Sequence, residues 1–407
     1  MKKVLVIGYV WPEPNSSAAG SHMMSILRLF RQQNWLVEFA TPAQKTDHMI
    51  DLASEGISSQ SIELNSDSFD AYVTKYQPSI VLFDRFMMEE QFGWRVEKNC
   101  PDALKILDTE DLQCLRHTRQ LAHKAKREMT QQDLFNDIAK REIAAILRCD
   151  LSLIISSFEM ELLVDTFKVN TALLHHLPFM VDLATLPTTT RSFSERKHFM
   201  TIGNFRHAPN WDVVLYLQEI WPSIRKQLPD AELHIYGSYP PPKATALNNP
   251  KTGFLIKGWA DDALATMEQY RVCIAPIRFG AGIKGKLLDA MIMQTPSITT
   301  SLGIEGMDFG EQWPGIIADD VTGLADAAVQ LYNSKPAWTS AKKNCNTLLT
   351  PHYDSQLLGA KLITKIKATE HGLTQHRLNN FTGAMLKHHS MMSTKYMSQW
   401  IAEKNRL

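Results

Sequence analysis

A glycine-rich turn surrounded by positive charge is the part of this sequence best suited to chemistry. The turn consists of Gly280, Ala281, Gly282, Ile283 and Lys284. An apolar run at residues 272–276 predicts a buried strand before it, and a run with one apolar face predicts a helix after it. The backbone N–H groups of such a turn and the helix N-terminus point to one place, which suits a phosphate or a diphosphate. Arg278, Lys284 and Lys286 add positive charge there.

The spacing of the glycines formally matches the dinucleotide fingerprint, but the neighbouring residues argue against both common nucleotide motifs. A ribose-binding acid of an NAD site would stand at the end of the next strand, about 20 residues on. That strand ends in Thr-Thr-Ser at residues 299–301, which disfavours NAD. Lys286 is followed by Leu287 rather than by Ser or Thr, so this is not a Walker A motif. We therefore predict a diphosphate site and expect no cofactor.

A carboxylate, Asp289, follows the turn within the predicted helix. Vicinal ribose hydroxyls require a bidentate acceptor, which a carboxylate supplies. The alternative is that Asp289 only complements the positive end of its helix. A second turn, at residues 303–306, contributes Glu305.

Two acidic strand ends in the first half of the chain form the second candidate site. Apolar runs at residues 79–83 and 104–107 predict buried strands that lead into Asp84 and Asp108. Ligands of open α/β sheets bind beyond the carboxyl ends of the strands, so both carboxylates face the expected crevice. Asp111 follows closely, and it serves equally well as an N-cap or a first-turn acid of the next helix.

The first strand, at residues 4–8, is followed by a long loop that leads into a helix. The loop lacks G-x-G-x-x-G, which argues against a dinucleotide there. Gly20, at the end of the loop, would let a ligand approach the backbone. A plain turn explains this glycine equally well.

Predicted strands and helices alternate along the chain in two successive arrays, and polar residues 188–197 read as a linker between them. This pattern predicts an α/β protein of two Rossmann-like domains that face each other across a cleft. We expect the first domain at residues 1–185, the second at 186–365 and a helical extension at 366–407.

The composition is that of an ordinary globular protein of 407 residues with a formal net charge of zero. Zero net charge gives no bulk attraction to nucleic acid. The five scattered cysteines are expected to be free thiols in a reducing compartment. No apolar run reaches the roughly 18 residues of a membrane span, and no signal peptide is recognisable. We therefore expect a cytoplasmic protein.

Two basic stretches depart from this balance. Residues 116–127 hold five Lys or Arg and no acid, and residues 361–407 hold eight against two Glu. Charge runs are usually solvated helix faces, and we expect the final helices to pack against the first domain. The alternative is docking of an anionic acceptor or of the inner face of a membrane. His388 and His389 are adjacent and do not share a helix face, so we expect no metal site.

Residues 276–306 resemble the donor site of GT-B glycosyltransferases, in particular family 4 and its relatives. In that family, a turn and helix of the form GAG-x-K-x-K-x-x-E-A-M is followed by G-x-P-x-x-T-T-x-x-G-x-E-G. The resemblance covers most of residues 1–365 and implies a GT-B fold, with an acceptor domain before a donor domain. It also implies that a sugar is transferred from a nucleotide-diphosphate sugar with retention of configuration.

The resemblance gives roles to the candidate residues. It implies that Lys284 stabilises the leaving diphosphate, that Asp289 holds the ribose, and that Glu305 binds the sugar or orients Lys284. Asp84 and Asp108 fall where such enzymes present acceptor-contacting or catalytic groups. The implied donor-binding positions further include Gly203, Arg206, Gly237, Gly258, Arg278, Gly280, Ala281, Gly282 and Ile283. Gly20 and Asp111 are expected on the acceptor side.

Two residues depart from the family pattern. Ala281 stands where the first acid of the E-x7-E pair is expected, eight residues before Asp289, so the means of holding the donor sugar stays open. Gln294 replaces a glycine at a helix C′ position, which costs about 1 kcal/mol if the left-handed geometry is kept. Two alternatives therefore stand: a nucleotide-sugar epimerase that uses Asp84 and Asp108, and a non-catalytic nucleotide-sugar binder.

The acceptor is the least defined partner. Relatives that build cell-surface polysaccharide suggest a glycan or a lipid-linked acceptor, and the basic stretches suit an anionic one. A modified RNA or protein acceptor would fit the same charges. Peripheral contact with the inner face of a membrane is compatible with the same stretches.

Overall fold

Two parallel β-sheets, each covered by helices, organise the protein. The computed structural model describes residues 1–406, except the side chains of residues 390, 391, 405 and 406. Every strand pairing in both sheets is parallel, and strands alternate with helices as the sequence predicted. The expected fold class, α/β with two Rossmann-like halves, is confirmed.

The first half of the chain forms a seven-stranded sheet. Its strands are β1 (Lys3–Ile7), β2 (Leu36–Thr41), β3 (Ser58–Ser61), β4 (Ile80–Asp84), β5 (Leu104–Asp108), β6 (Leu151–Ile154) and β7 (Leu174–His176). Its helices are α1 (Ala18–Gln32), α2 (Ser68–Tyr76), α3 (Phe86–Asn99), α4 (Gln113–Lys124), α5 (Asp137–Arg148) and α6 (Ser157–Asp165). The strand order is β3-β2-β1-β4-β5-β6-β7, which reverses between β1 and β4. Open α/β sheets bind ligands at such a reversal, beyond the carboxyl ends of the strands.

The second half forms a six-stranded sheet. Its strands are β8 (Lys197–Ile202), β9 (Leu233–Tyr236), β10 (Phe254–Gly258), β11 (Tyr270–Ala275), β12 (Ser297–Thr299) and β13 (Gly315–Ile317). Its helices are α7 (Ala208–Gln227), α8 (Pro242–Thr245), α9 (Ala263–Met267), α10 (Gly285–Ile292), α11 (Ser301–Ile304) and α12 (Val321–Asn333). The order is β10-β9-β8-β11-β12-β13, so the reversal lies between β8 and β11. The glycine turn directly follows β11.

Continuous apolar runs explain why the central strands form buried parallel sheets. β4 and β5 read IVLFD and LKILD, and every residue of both is buried. A parallel sheet covered on both faces selects such runs rather than an alternating pattern. The edge strand β3 reads SSQS and is exposed throughout. The sequence did not predict it, because it contains no apolar residue.

Four helices follow the second sheet: α13 (Lys335–Tyr353), α14 (Ser355–His371), α15 (Leu373–Leu378) and α16 (Phe381–Arg406). α14 returns to the first sheet, where its Leu362 and Ile366 are buried in one core with Leu29 and Phe30 of α1. The last helix, α16, packs on α3 and α5. The expected domain boundaries stay predictions; the first falls between β7 and β8, and the second falls within α14.

The helical extension is interrupted twice. Gly372 ends α14, and residues 379–380 separate α15 from α16. The second break lies just before Gly383, which is itself inside α16. Asn380 accepts the backbone N–H of Gly383 at 3.0 Å and so caps the helix just before it starts. Within residues 1–406, no helix is both long and apolar enough to cross a membrane.

Candidate active site

The carboxyl ends of the two sheets face each other, and the N-termini of α1 and α10 meet between them. A Cβ on Gly285, the first residue of α10, would lie 2.4 Å from the Cβ of Ala18, the first residue of α1. Ile155 and Phe179 from the first half of the chain pack in one apolar cluster with Ile283 of the glycine turn. The cleft is therefore closed around that turn.

The centre of the turn already binds a carboxylate. Gly282 has a φ of 62°, in the left-handed region that favours glycine. Its backbone N–H donates to Oε1 of Glu159, on α6, at 2.8 Å. The same oxygen accepts the N–H of Leu112, just before α4, at 3.0 Å. An anionic oxygen from the first half of the chain thus lies on the amide that the sequence predicted for a phosphate.

Glu159 is an unusual buried acid. Its side chain is fully buried, and burial, with a smaller contribution from the charge of Asp111, raises its pKa to about 8. Its Oε2 has no hydrogen-bond partner among the described residues. A buried carboxylate with one unsatisfied oxygen is expensive to keep ionised, which makes it sensitive to any ligand that enters the cleft.

A second buried carboxylate completes the cap of α4. Glu142 of α5 accepts the backbone N–H groups of Gln113 and Cys114 at 2.9 and 3.0 Å. Burial raises its pKa to about 7. The N-terminus of α4 is therefore covered by acids from α5 and α6, and the interpretation of Asp111 as the N-cap is wrong. Asp111 instead accepts two hydrogen bonds from Arg116, at 3.1 and 2.9 Å.

Two lysines and one acid flank the turn on α10. Lys284 Nζ donates to the carbonyl of Gly282 at 2.6 Å, and Lys286 Nζ donates to Asn210 Oδ1 at 2.8 Å. Burial lowers the pKa of each lysine to about 8. Burial raises the pKa of Asp289 to about 7, while the charge of Lys286 lowers it. Asp289 is the fifth residue of α10 and lies beyond the first turn, so a first-turn dipole role does not explain it.

A small hollow with both polar and apolar lining lies beside Lys286. Thr201, Gly203, Asn210 and Val213 contribute to its lining. The buried hydroxyl of Thr201 has no hydrogen-bond partner within the described part of the chain. One polar group of the second sheet is therefore unpaired close to Lys286.

The other predicted donor residues lie at the same strand ends but contact different groups. Gly237 donates its N–H to the carbonyl of Gly258 at 2.7 Å, which joins the ends of β9 and β10. The guanidinium of Arg206 lies 3.6 Å from the ring centre of Tyr239. Ala281 packs at the margin of the first apolar core.

Arg278 does not supply free positive charge to the turn. Its guanidinium donates to both oxygens of Asp212, on α7, at 2.9 and 2.7 Å. It also lies 4.2 Å from the ring centre of Tyr216. His123 of α4 approaches the same Asp212 at 3.4 Å. The expectation that Arg278 adds free charge is corrected, because Asp212 neutralises it in this closed structure.

An ion pair closes the cleft on the other side of the turn. Arg119 of α4 donates to both carboxylate oxygens of Glu305 at 2.6 and 2.8 Å. The same guanidinium donates to the carbonyl of Gly280 at 2.9 Å. Glu305 is therefore bound by the first half of the chain, and the closest polar contact of Lys284 is the turn itself. Residues from both halves of the chain therefore contact the glycine turn.

The basic run at residues 116–127 has two distinct faces. Arg116 contacts His207 of the second half at 3.2 Å, and Arg119 makes the ion pair just described. Lys124, Lys126 and Arg127 are exposed. The interpretation of the run as a solvated helix face holds for Lys124, whereas Lys126 and Arg127 are solvated but follow the end of α4. It is wrong for Arg116 and Arg119, because they point across the cleft.

A cluster of buried acids lies at the ends of β4 and β5. Asp84 and Asp108 are paired residues of these neighbouring strands. Asp84 Oδ2 accepts the N–H of Tyr9 at 2.9 Å. Burial, together with the charge of Asp84, raises the pKa of Asp108 to about 7. His22 lies 3.9 Å from Asp108, and burial lowers its pKa to about 4, so the imidazole is neutral near pH 7.

Two further features of this acidic cluster are typical of a functional site. Asp84 Oδ1, Asp108 Oδ2 and His22 Nδ1 are buried without a hydrogen-bond partner among the described residues. Arg85 and Glu110, just after the two strand ends, have φ angles of 69° and 60°. Non-glycine residues held in this region cost about 1–3 kcal/mol each and concentrate at active sites. The cluster can accept hydrogen bonds from a hydroxyl-bearing ligand.

Gly20 is explained by packing rather than by a ligand. It is buried inside α1, and a Cβ there would lie 2.5 Å from the backbone of Glu13. The loop after β1 therefore folds directly over this glycine. The expectation of ligand approach at Gly20 is corrected, since Glu13 fills the space.

Two further features concern possible metal ligands. Over residues 1–406, no cluster of three or more His, Cys, Asp or Glu is arranged to hold a metal ion. The five cysteines are buried free thiols.

Sequence reasoning gave no role to several residues of the cleft: Glu142, Glu159, Arg119, Asp212 and Asn210. Their contacts join elements far apart in sequence, so local spacing carries no signal for them. Arg119 was noted only as part of the basic run at residues 116–127. The apolar run of β6 just before Glu159 is a usable sign, because it places this acid near a carboxyl strand end.

Known proteins have a similar fold, and one protein family matches the second half of this chain in sequence. Residues 196–334 match the family described as glycosyl transferases group 1. TarM of S. aureus, solved as a variant with fondaparinux, alpha-GlcNAc-glycerol and UDP, has a TM-score of 0.69 at 12% identity, covering 90% of this chain and 99% of its own. Sucrose-phosphate synthase from Thermosynechococcus elongatus has a TM-score of 0.67 at 14% identity, with 90% and 99% covered.

HepE of Anabaena, solved with UDP and glucose, has a TM-score of 0.68 at 10% identity, covering 90% of this chain and all of its own. No curated protein matches the chain in sequence. Identities this low show the fold alone, whereas the family match covers β8 to α12, which include the glycine turn and Asp289. The chain therefore has the GT-B fold, and the match of its residues 196–334 to glycosyl transferases group 1 supports glycosyltransferase activity.

Proposed function

We propose that this enzyme transfers a sugar from a nucleoside-diphosphate sugar to a hydroxyl group of a glycan or lipid-linked acceptor, with retention of configuration. One observation carries the proposal: the Glu159 carboxylate lies 2.8 Å from the amide of Gly282, at the start of α10. That amide therefore has the geometry and polarity to bind an anionic oxygen. A donor diphosphate would take the same amide once Glu159 is displaced or protonated.

Three groups support a nucleotide-sugar donor. Lys284 and Lys286 flank the turn with pKa values of about 8, so both are largely cationic near pH 7. Asp289 offers a bidentate acceptor for the ribose hydroxyls beside Lys286. TarM and HepE were each solved with UDP, which makes a uridine nucleotide the first donor to test.

The reaction would break the bond between C1 of the sugar and the β-phosphate oxygen. Its electron pair stays on that oxygen, while the acceptor hydroxyl oxygen forms the new bond to C1 on the same face. The acceptor proton passes to the leaving β-phosphate oxygen, so the products are a nucleoside diphosphate and a glycoside. The work of the protein is mainly to stabilise the growing phosphate charge, through Lys284 and the turn amides.

Asp84 and Asp108 would orient the acceptor hydroxyl. Each has a buried carboxylate oxygen without a partner among the described residues. Asp84 ends β4, which borders the reversal of the first sheet, and Asp108 ends the neighbouring strand β5. Arg116 and Arg119 give no argument for an anionic acceptor, because Asp111 and Glu305 already neutralise them. A sugar-containing acceptor with a free hydroxyl is therefore the better-supported class.

A thermal-shift panel of UDP-, GDP-, ADP- and dTDP-sugars tests the donor assignment. One family of nucleotide sugars should raise Tm, and Asp289→Asn should abolish the shift, while Asp261→Asn, an exposed acid of the same half, should not. No shift with any of the four would contradict a nucleotide-sugar donor. Anomer-resolved NMR of the product then reports retention, and an epimer formed without acceptor would instead assign Asp84 and Asp108 to epimerisation.

A further inference from the structure

One face of α16 is anchored on the first half of the chain. Ser398 is buried and accepts a hydrogen bond from Arg95 of α3 at 3.2 Å. Lys387 lies 3.5 Å from Glu97, also on α3. The helix is thus held at a fixed orientation, as the sequence expectation of packing against the first domain required.

The opposite face of α16 presents large apolar side chains to solvent. Phe381, Met385, Met392, Tyr396 and Trp400 are 70%, 45%, 39%, 57% and 60% exposed. Their spacings of four, seven, four and four residues place them in one stripe along the helix. Scattered exposed apolar residues need no explanation, but five large ones on one side of a helix, interrupted at His388 and His389, mark an interaction surface.

Positive charge borders this stripe on both sides. By helical spacing, Lys395 lies on one edge and Lys404 on the other. Their ammonium groups lie 5.7 Å and 5.3 Å from the ring centres of Tyr396 and Trp400. Lys387 belongs to the anchored face, and Glu403, three residues after Trp400, lies on the same side as the stripe. The outward face therefore combines aromatic and methionine side chains with two lysines and one acid, a small excess of positive charge.

We propose that this outward face of α16, the stripe with its flanking lysines, docks on an anionic lipid bilayer, with the helix lying in the plane of the interface. Trp and Tyr rings with a polar edge prefer the headgroup level, and lysine stems extend their charge towards anionic headgroups. A second copy of the chain fits less well, because two cationic faces would repel. The proposal does not depend on the donor assignment, since its evidence lies outside the cleft.

Co-sedimentation of the full-length chain with vesicles tests this surface. Wild type should bind vesicles containing phosphatidylglycerol and bind weakly to pure phosphatidylcholine, with binding falling at about 0.5 M salt. The triple variant Phe381→Ser, Tyr396→Ser, Trp400→Ser should lower the partition coefficient by about tenfold or more. Lys395→Glu with Lys404→Glu should lower it to a similar degree on the anionic vesicles only.

The control variant is Leu357→Ser, an equally exposed apolar residue on α14, 46% exposed and outside the stripe. It should bind vesicles like wild type. Because the substituted side chains are exposed, apart from the half-buried Lys395, an unchanged Tm should show that the variants fold. The proposal is overturned if the wild type does not bind anionic vesicles. It is also overturned if the stripe variants bind these vesicles as strongly as the wild type does. Light scattering that shows a dimer lost in the triple variant, without vesicle binding, would assign the face to a second copy.

Discussion

The carboxylate of Glu159 accepts the backbone N–H of Gly282 at 2.8 Å and thereby links α6 of the first half to the donor turn of the second. The contact is buried, and Ile155 lies beside it at the same turn. An acid from one half of the chain thus occupies the anion position of the other half. Closure of the cleft and binding of the donor are consequently coupled through one carboxylate.

The stability of the protein should depend on pH through Glu159. Its pKa is raised to about 8, above the unfolded value of 4.5, so its stabilisation is complete below about pH 4.5 and is lost as the pH rises through 8. Glu159→Gln keeps an oxygen acceptor for Gly282 and removes the charge. We expect the variant to be more stable than wild type at pH 8, by about 1–3 kcal/mol, with the gain vanishing near pH 4.5.

Urea denaturation of both proteins between pH 4.5 and 9 measures this difference. Glu161→Gln on the same helix is the matched control, because Glu161 is exposed and should leave the profile unchanged. Parallel pH profiles for wild type and Glu159→Gln would contradict a raised pKa at this site. Asp108 and Glu142, whose pKa values are also raised, should still give both proteins a residual slope of the same sign.

The ion pair of Arg119 with Glu305 should hold the two halves together. Arg119→Ala and Glu305→Ala should each open the cleft and increase the radius of gyration in small-angle scattering. The double variant should open it no further, because either change removes the same pair. Arg127→Ala, which breaks the exposed pair with Asp133 inside the first half, should leave the scattering unchanged. Additive opening in the double variant would show that the two side chains act separately.

The sequence predicted the central strands well, because strands that are buried on both faces require continuous apolar runs, which are visible in the sequence. The runs before Asp84 and Asp108 are continuous and apolar, and the rule for ligands beyond parallel strand ends placed both acids at one edge. The structure confirms that they are register partners. The edge strand β3 has no apolar run. Its serines and glutamine pair through the backbone without burying apolar side chains, so the sequence did not predict it.

Contacts across the cleft could not be predicted from spacing. Glu159 and Gly282 are 123 residues apart, and Arg119 and Glu305 are 186 apart, so only the docking of the two halves joins them. The contact of Arg278 was missed for a different reason. Its partner, Asp212, lies on α7 within the same half but 66 residues earlier, so the sequence neighbours of Arg278 do not reveal it. Gln294 is a contrasting case. Its left-handed geometry follows from its position just after a helix, which is visible in the sequence, and its φ is 48°.

Donor affinity should follow the ionisation of Asp289 and its two lysine neighbours. Burial raises the pKa of Asp289 to about 7 and lowers those of Lys284 and Lys286 to about 8. Ribose binding needs the carboxylate and diphosphate binding needs the ammonium groups, so affinity for the donor should peak between about pH 7 and 8. Asp289→Asn should weaken binding by about 10- to 100-fold near pH 7.5 and remove the acidic limb.

Isothermal titration with an intact nucleotide sugar measures this profile, because its diester diphosphate does not titrate in that range. Asp261→Asn, at an exposed acid before α9, should retain the wild-type profile. An acidic limb that survives in Asp289→Asn would assign it to another group. Loss of the basic limb in Lys286→Met, with the acidic limb kept, would separate the lysine contribution from that of the acid.

Turnover should depend on Asp108 more than donor binding does. Asp108 and Asp84 lie at paired strand ends of the first half, whereas the donor turn belongs to the second, so their loss should spare the donor Kd. Asp108→Asn should lower kcat by about 10²-fold, the order of loss when a reacting group is misplaced, and Asp84→Asn should follow it. Asp102→Asn, an exposed acid just before β5, should keep wild-type kcat. If Asp108→Asn instead raised the KM for the acceptor at constant kcat, the carboxylate would contribute only uniform acceptor binding, and the orienting role would pass to Asp84 or His22.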